Sequence, residues 1–265
     1  MGFNVVNYFA RNIDKLLIGK FLGDQALGYY TLAYKIMLYP LQSISWVIGK
    51  VMFPAFSKIQ HDLEKVRTAY LKMVKAISLV TFPMMFGLFA VAPEFVHVIY
   101  GPKWEPLILL IRILCFCGIV QSIGTTVGNI ILSQGKSGLQ LRFGILGTIF
   151  AAIAIMGGLK LGIVAIALFY TLEQLSWVLY VQRTLNSLIG LSLKTFFSTL
   201  RNNFIVGVCM FLFINILQLF LPQSHTAILV GSIVGGAIIY IGLLFMMKEI
   251  KLVWGIFPSL EDDVS

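Results

Sequence analysis

Long apolar runs recur along this chain, and they constrain its fold more than any other feature of the sequence. Eight runs are each about 20 residues or longer, enough to cross the hydrocarbon core of a bilayer as a helix. They cover residues 3–22, 28–55, 76–99, 107–132, 139–157, 162–182, 203–221 and 226–247. Only helices and closed barrels satisfy their backbone hydrogen bonds in lipid, and the alternating pattern of barrel strands is absent. The sequence therefore predicts an all-α membrane protein with about eight transmembrane helices.

The composition excludes several classes of function. Of the 265 residues, 58% are hydrophobic and 12% are charged, whereas soluble domains carry about 25% charged residues. Cys115, Cys117 and Cys209 fall inside apolar runs and are interpreted as small core residues. The sequence holds no HExxH motif, phosphate-binding glycine loop or nucleophile elbow. We therefore predict no enzyme activity, no metal site, no cofactor and no nucleic-acid partner.

Basic residues are distributed unevenly between the two ends of the predicted spans. Twelve fall on one side, at positions 58, 65, 67, 72, 75, 136, 142, 183, 194, 201, 248 and 251. Three fall on the other side, at positions 20, 103 and 160. Because cytoplasmic loops carry the excess of Lys and Arg, this count predicts that both termini are cytoplasmic.

Three boundaries follow from polar residues and prolines. Pro54 is expected to end the second span, and the stretch 57–75 is expected to form a separate polar helix at the membrane surface. A longer polar connection, containing Arg183, Lys194 and Arg201, is expected between the sixth and seventh spans.

The first span carries an unusual set of polar side chains. Asn4, Asn7, Arg11, Asp14 and Lys15 fall within one arc of about 100° on a helical wheel. A charge at the bilayer centre costs about 2.5–3.5 kcal/mol, so this face must meet water, partner charges or a ligand. Two interpretations are open: a polar translocation cavity, or an internal salt bridge that fixes the helix to a neighbour.

Two other spans repeat the pattern more weakly. In the second span, Lys35, Tyr39 and Gln42 follow helical spacing and share a face. In the fourth, Gln121 and Asn129 share an arc of about 100°. These side chains extend the candidate cavity surface.

Carboxylates are rare inside the predicted spans. Glu173 shares a face with Tyr170, Trp177 and Tyr180, and Asp14 is the other carboxylate placed well inside the membrane. Either carboxylate is a candidate for coupling transport to a proton or sodium gradient. A hydrogen-bonded residue in helix packing is the alternative interpretation of Glu173.

Several motifs in order then resemble a known family. They are "NYFARNIDKLLIGKFLGDQALGYYTLAYKI", "FPAFSKIQ", "APEFVHVIYGPKWEP", "SQGKSGLQLRFGI" and "GLKLGIVAIAL". In this order they resemble the second half of bacterial polysaccharide exporters of the Wzx/PST type. These exporters are lipid-linked oligosaccharide flippases of the multidrug/oligosaccharidyl-lipid/polysaccharide superfamily. The resemblance covers residues 1 to about 200 strongly and the last two spans loosely.

The resemblance implies the second lobe of a transporter of this superfamily, related to the multidrug (MATE-like) transporters, plus a terminal hairpin. We expect a six-helix lobe at 1–183, a connector and two-helix hairpin at 184–247, and a cytoplasmic tail at 248–265. We also expect a first lobe to be missing, because Met1 falls where the seventh helix of the family begins. The first lobe or a partner chain is then an expected partner, as are membrane lipids and the glycan polymerase machinery.

The substrate implied is an undecaprenyl-pyrophosphate-linked oligosaccharide, moved across the bacterial inner membrane by alternating access for lipopolysaccharide or exopolysaccharide export. In that role Arg11, Lys15 and Lys35 would attract phosphate or acidic sugars. The amides of Asn4, Asn7, Gln42, Gln121 and Asn129 would contact sugar hydroxyls.

Two alternatives to a flippase are considered for this sequence. A drug or cation antiporter of the same superfamily needs an acidic cavity, which the surplus of cations over Asp14 and Glu173 in the spans disfavours. An inactive, truncated membrane remnant is the second alternative.

Overall fold

The computed structural model describes the backbone of residues 2–222 and 224–247, and the side chains of these residues except 2–11, 13 and 45–53. The predicted tail at 248–265 lies outside the described residues. The described part contains eight α-helices and two short 3₁₀ turns. The helices are α1 (Gly2–Ile59), α2 (Leu63–Ile99), α3 (Pro106–Gly124), α4 (Val127–Ser133), α5 (Ser137–Gly158), α6 (Ile163–Ile189), α7 (Leu193–Gln218) and α8 (His225–Met246).

Helix α1 consists of two arms that meet at Gly23. Gly23 has φ 82° and ψ 175°, a left-handed conformation that glycine adopts at little cost. At 1.5 Å per residue, the arms 2–22 and 24–59 are about 30 Å and 50 Å long, so each can cross a bilayer. Six further segments, with α3 and α4 taken together, are long and apolar enough to cross a membrane. The prediction of about eight spans in an all-α membrane protein is confirmed.

The separate polar helix predicted at 57–75 is wrong. Helix α1 continues through Pro54 to Ile59, and α2 then runs without interruption from Leu63 to Ile99. The Asp62 carboxylate caps α2 by accepting hydrogen bonds from the backbone N–H groups of Glu64 and Lys65, both at 3.1 Å. The first turns of α2 are polar. The helix nevertheless continues through them, because Val66 and Tyr70 keep one face buried.

Two other predicted boundaries also differ. The polar connection expected around Arg183, Lys194 and Arg201 is mostly helical, because the loop between α6 and α7 spans only residues 190–192. Gly190 ends α6 with φ 65°, which allows the chain to turn within three residues. The fourth span, expected as one helix, is interrupted between α3 and α4 at residues 125–126.

Helices α2 and α3 form the centre of the bundle. In the most apolar 18-residue stretches of α2 and of Pro106–Ser133, which contains α3, 50% and 56% of residues are buried. The corresponding value is 11% in both α5 and α6. Helix α2 packs against α3, α7 and α8, while α3 packs against α1 and α6, and α5 lies outside α6. The exposed residues of α5 and α6 are mainly Leu, Ile and Phe, as expected of lipid-facing helices.

Hydrogen bonds connect neighbouring helix ends and loops at each end of the bundle. At one end, Arg67 Nε donates to the Ile189 carbonyl at 2.7 Å. The Gln134 amide donates to the Gln60 carbonyl at 3.1 Å at the same end. At the other end, the Tyr29 hydroxyl donates to the Lys103 carbonyl at 3.3 Å. The loops rich in basic residues therefore lie together at one end.

Candidate functional site

The longer arm of α1 exposes the polar face predicted from the sequence. Lys35, Tyr39 and Gln42 are all exposed, and Tyr39 exposes 76% of its surface. Spacings of four and three residues along one helix place the three side chains on the same side. The face is therefore available for contact with a ligand or a neighbouring chain.

An elongated cavity of about 720 Å³ borders this face. Its walls come from α1, α2, α7 and α8. Prolines and glycines are among its lining residues, including Pro40, Pro83, Gly87 and Gly236. The remaining wall is largely aliphatic and aromatic, and Lys35 is the one charged residue among the described residues that line it. The cavity is thus an apolar groove with a cation at its edge.

The polar face of the shorter arm is described only in part. The side chains of Asn4, Asn7 and Arg11 lie outside the described residues. Lys15 Nζ donates to the Asn12 Oδ1 atom at 3.1 Å. Asp14 Oδ1 is buried and has no hydrogen-bond partner among the described side chains, which do not include that of Arg11. The cavity and salt-bridge interpretations of this face both stay predictions.

A hydrogen-bonded network crosses the lobe between α1, α3 and α6. The Gln121 amide nitrogen donates to the Tyr170 hydroxyl at 3.1 Å and to the Gln174 Oε1 atom at 3.3 Å. The Tyr34 and Tyr170 hydroxyls lie 3.2 Å apart. The Gln174 amide donates to Glu173 Oε2 at 2.9 Å, which extends the network to the carboxylate.

The predicted residues of the fourth span lie on either side of the interruption at residues 125–126. Gln121 is hydrogen-bonded into the network with α6, and it does not line the groove beside Lys35. Asn129 is half-buried in α4. Their shared face stays a prediction.

Tyr34 and Gln174 belong to the network and were not among the residues predicted from the sequence. Tyr34 is adjacent to Lys35 and points about 100° away around α1, toward Tyr170 on α6. Tyr30 stacks on Tyr34 with ring centroids 6.0 Å apart, so the pair lies one helical turn apart on one face. That four-residue tyrosine spacing was the available signal.

A second polar cluster joins α2 to α6 in the interior. The Tyr70 hydroxyl donates to Gln182 Oε1 at 2.8 Å, and the Gln182 amide donates to Asn186 Oδ1 at 2.7 Å. All three residues are buried. In the part of the chain that the structure describes, no group of three or more His, Cys, Asp or Glu residues could hold a metal ion. The polar chemistry here is hydrogen bonding by amides and phenols.

Several known proteins are similar to this chain in sequence, and a solved structure is similar to it in fold. Residues 1–109 match a family model described as "Polysaccharide biosynthesis protein". The chain is 30% identical over 173 residues to the lipopolysaccharide biosynthesis protein WzxC of Escherichia coli, covering 65% of this chain and 35% of WzxC. It is 30% identical over 223 residues to the teichuronic acid biosynthesis protein TuaB of Bacillus subtilis, covering 78% of this chain and 43% of TuaB.

Among solved structures, the lipid II flippase MurJ in an inward closed conformation has a similar fold. The TM-score is 0.75 at 15% identity, over 91% of this chain and 52% of MurJ. The chain spans 35% and 43% of the lengths of WzxC and TuaB. The shared fold is a transporter fold built from membrane-spanning helices.

Proposed function

We propose that this chain, which is similar in sequence to bacterial polysaccharide biosynthesis proteins, forms one lobe of a flippase for undecaprenyl-pyrophosphate-linked oligosaccharides. The lobe works by alternating access with a second lobe, supplied by the same polypeptide or by a partner chain. It resides in the bacterial inner membrane with both termini cytoplasmic. The exported glycan serves cell-surface polysaccharide biosynthesis.

The observation that carries this proposal is the apolar groove with Lys35 at its edge. A substrate with a long hydrocarbon chain and an anionic phosphate group matches both properties. The aliphatic wall favours the hydrocarbon, and the ammonium group of Lys35 favours the phosphate. Lys35 is exposed, so its charge has no described protein partner that would compete with the substrate.

The other predicted side chains extend this assignment along α1. Arg11 and Lys15 add positive charge on the shorter arm, where Arg11 suits bidentate contact with phosphate. Asn4, Asn7 and Gln42 offer amides for sugar hydroxyls, and Asn129 does so on α4. Gln121 acts more indirectly, since its amide nitrogen already holds Tyr170 and Gln174.

Asp14 and Glu173 are the proposed coupling residues. Each has a buried carboxylate oxygen without a hydrogen-bond partner among the described side chains. A proton or a sodium ion would satisfy such an oxygen inside the membrane, where an unpaired charge is costly. Movement of either ion down its gradient would then bias the lobe between its two orientations.

A charge-removal experiment tests the role of Lys35. In cells whose surface polysaccharide depends on the transporter containing this chain, Lys35→Gln is expected to lower export roughly 10- to 100-fold. This range follows from about 1.5–3 kcal/mol for a hydrogen bond to a charged group. Export is measured by quantifying surface polysaccharide, with transporter abundance measured in the same membranes.

Two variants make the result specific. Lys35→Arg keeps the charge and is expected to retain most of the export. Lys160→Gln removes an equally exposed lysine from the turn between α5 and α6 and is expected to leave export unchanged. Normal export by Lys35→Gln at normal abundance would contradict the assignment of the groove to the phosphate-linked lipid.

A further inference from the structure

A second cavity, of about 450 Å³, lies between α5 and α6. It is separate from the groove beside Lys35, and the two cavities share no lining residue. Its walls are Leu146, Phe150, Glu173, Ser176, Trp177 and Tyr180. Three aromatic rings and one carboxylate therefore surround this space.

Packing holds the aromatic rings in place. The centroid of Trp177 lies 5.8 Å from that of Phe150 and 5.6 Å from that of Tyr180. Gly147 on α5 lies against the indole, and a Cβ added at this position would come within 3.1 Å of Trp177. The glycine thus lets α5 approach the indole closely, so the ring has a defined position before any ligand arrives.

The carboxylate of Glu173 is only partly satisfied. Its Oε2 atom accepts a hydrogen bond from Gln174, while its Oε1 atom is buried without a partner. None of the six residues that line the pocket is basic. The Ser176 hydroxyl already donates to the Leu172 carbonyl at 3.0 Å, so it is not free to donate to the carboxylate.

The pocket lies near the middle of a membrane-spanning helix and opens to the outside of the α5–α6 pair. Glu173 is ten residues from the start of α6 at Ile163, which is about 15 Å along the helix and near the middle of a hydrocarbon core about 30 Å thick. Leu146, Phe150 and Tyr180 are exposed on the outside of the helix pair. A ligand at this depth would therefore have to be soluble in the hydrocarbon core.

We propose that this pocket binds lipophilic organic cations, such as quaternary ammonium or phosphonium ions with aromatic or alkyl substituents. Aromatic rings attract a cation, and the Glu173 carboxylate beside them adds a charge interaction. A sugar would need a polar partner for each hydroxyl, and this wall offers few. The pocket does not depend on the glycan role of the groove beside Lys35.

Basic residues outnumber acidic residues in the spans, but none of the six residues that line this pocket is basic. Lys15 and Lys35 lie on α1, whereas the pocket is formed by α5 and α6. Glu173 is the one carboxylate among the six lining residues, and charge nearest to the site matters most for binding at short range.

Binding of tetraphenylphosphonium to the full chain in lipid nanodiscs is the test. Equilibrium binding of the radiolabelled cation is expected to saturate at one site per chain. Glu173→Gln is expected to weaken binding by about tenfold or more, in line with the loss of roughly 1.4 kcal/mol. Radiolabelled tetraphenylborate, which has a closely similar shape and the opposite charge, is measured separately because the two ions form an insoluble salt, and it is expected to show no saturable binding.

Two further variants separate binding from folding. Ser176→Phe fills the pocket from its exposed side and keeps the carboxylate, so it is expected to abolish saturable binding. Glu94→Gln is the matched control, because Glu94 on α2 also has a buried carboxylate oxygen without a partner but does not line this pocket. It is expected to bind like the unaltered chain.

Four outcomes would overturn the proposal. The first three are the absence of saturable binding, equal loss of binding in Glu94→Gln and Glu173→Gln, and saturable binding of tetraphenylborate as tight as that of the cation. The fourth is displacement of the cation by a soluble glycan such as N-acetylglucosamine, which would assign the pocket to sugar. None of these outcomes bears on export through the groove beside Lys35.

Discussion

Single buried amides connect the helices of this lobe. Asn203 on α7 is fully buried, and its side-chain nitrogen donates to the Lys75 carbonyl at 3.0 Å and to the Ser78 hydroxyl at 2.8 Å, both on α2. In a membrane, such hydrogen bonds between helices hold the helices together where the hydrophobic effect gives little preference. Asn203 therefore fixes α7 against the central helix.

We expect Asn203→Ala to lower the free energy of unfolding by roughly 0.5–2 kcal/mol. The truncation removes both hydrogen bonds to α2 and leaves space beside it. Thermal unfolding in mild detergent measures the effect. Asn215→Ala is the matched control on the same helix, because Asn215 is exposed and donates only to the Phe211 carbonyl of its own helix at 2.8 Å. Equal loss of stability in the two variants would contradict the role of Asn203.

Residue patterns predict part of the candidate site. Lys35, Tyr39 and Gln42 are exposed on one continuous helix, so their shared face follows from the helical repeat alone, while their role in a cavity stays a prediction. The partners of a buried side chain depend on which neighbouring helix it meets. Nothing in the sequence indicates that Tyr34 lies 3.2 Å from Tyr170, since the two residues are 136 positions apart.

At the scale of helices, hydropathy predicts spans better than it predicts helix ends. The gap predicted between the spans 3–22 and 28–55 is reduced to one residue, Gly23, where a positive φ separates two helical arms. The continuity of α2 from Leu63 to Ile99 was missed, since a helix passes from the membrane into water without a change in its backbone hydrogen bonds. The interruption at residues 125–126 was also missed, because two threonines give no strong signal of a break.

The α5–α6 pair depends on one close approach of backbones. A Cβ added at Gly158 would lie 2.7 Å from both the Cα and the backbone nitrogen of Ile166, so no side-chain movement could relieve the overlap. The Gly158 site is next to the 3₁₀ turn that joins the two helices. The crossing of α5 and α6 therefore requires glycine at this position.

We expect Gly158→Ala to destabilise the α5–α6 pair by about 1–3 kcal/mol, the usual cost of overpacking. Differential proteolysis of the 159–162 turn and the melting temperature measure the effect. Gly144→Ala on the same helix is the control, because a Cβ there has no neighbour within 4 Å. That change is expected to be neutral or slightly stabilising, since alanine favours helix. A Gly158→Ala protein as stable as the Gly144→Ala protein would refute the close contact.

At the scale of the whole molecule, charge and contact agree on two distinct ends. The loops that carry most basic residues meet through Arg67 with Ile189 and Gln134 with Gln60. The opposite end holds Lys103 and Lys160, and there Tyr29 bonds the Lys103 carbonyl. The fold determines which loops lie at the same end of the bundle. The distribution of charge then predicts which end faces the cytoplasm.

We expect a membrane-impermeant maleimide to distinguish the two ends in intact cells. Cysteines introduced as Lys103→Cys or Lys160→Cys should react from outside, whereas Lys136→Cys and Lys194→Cys should react only after the membrane is permeabilised. All four positions are exposed, so reactivity depends on the side of the membrane. The background carries Cys209→Ser, because Cys209 is exposed while Cys115 and Cys117 are buried. Labelling of Lys136→Cys in intact cells would reverse the orientation and place the basic loops outside, against the charge rule.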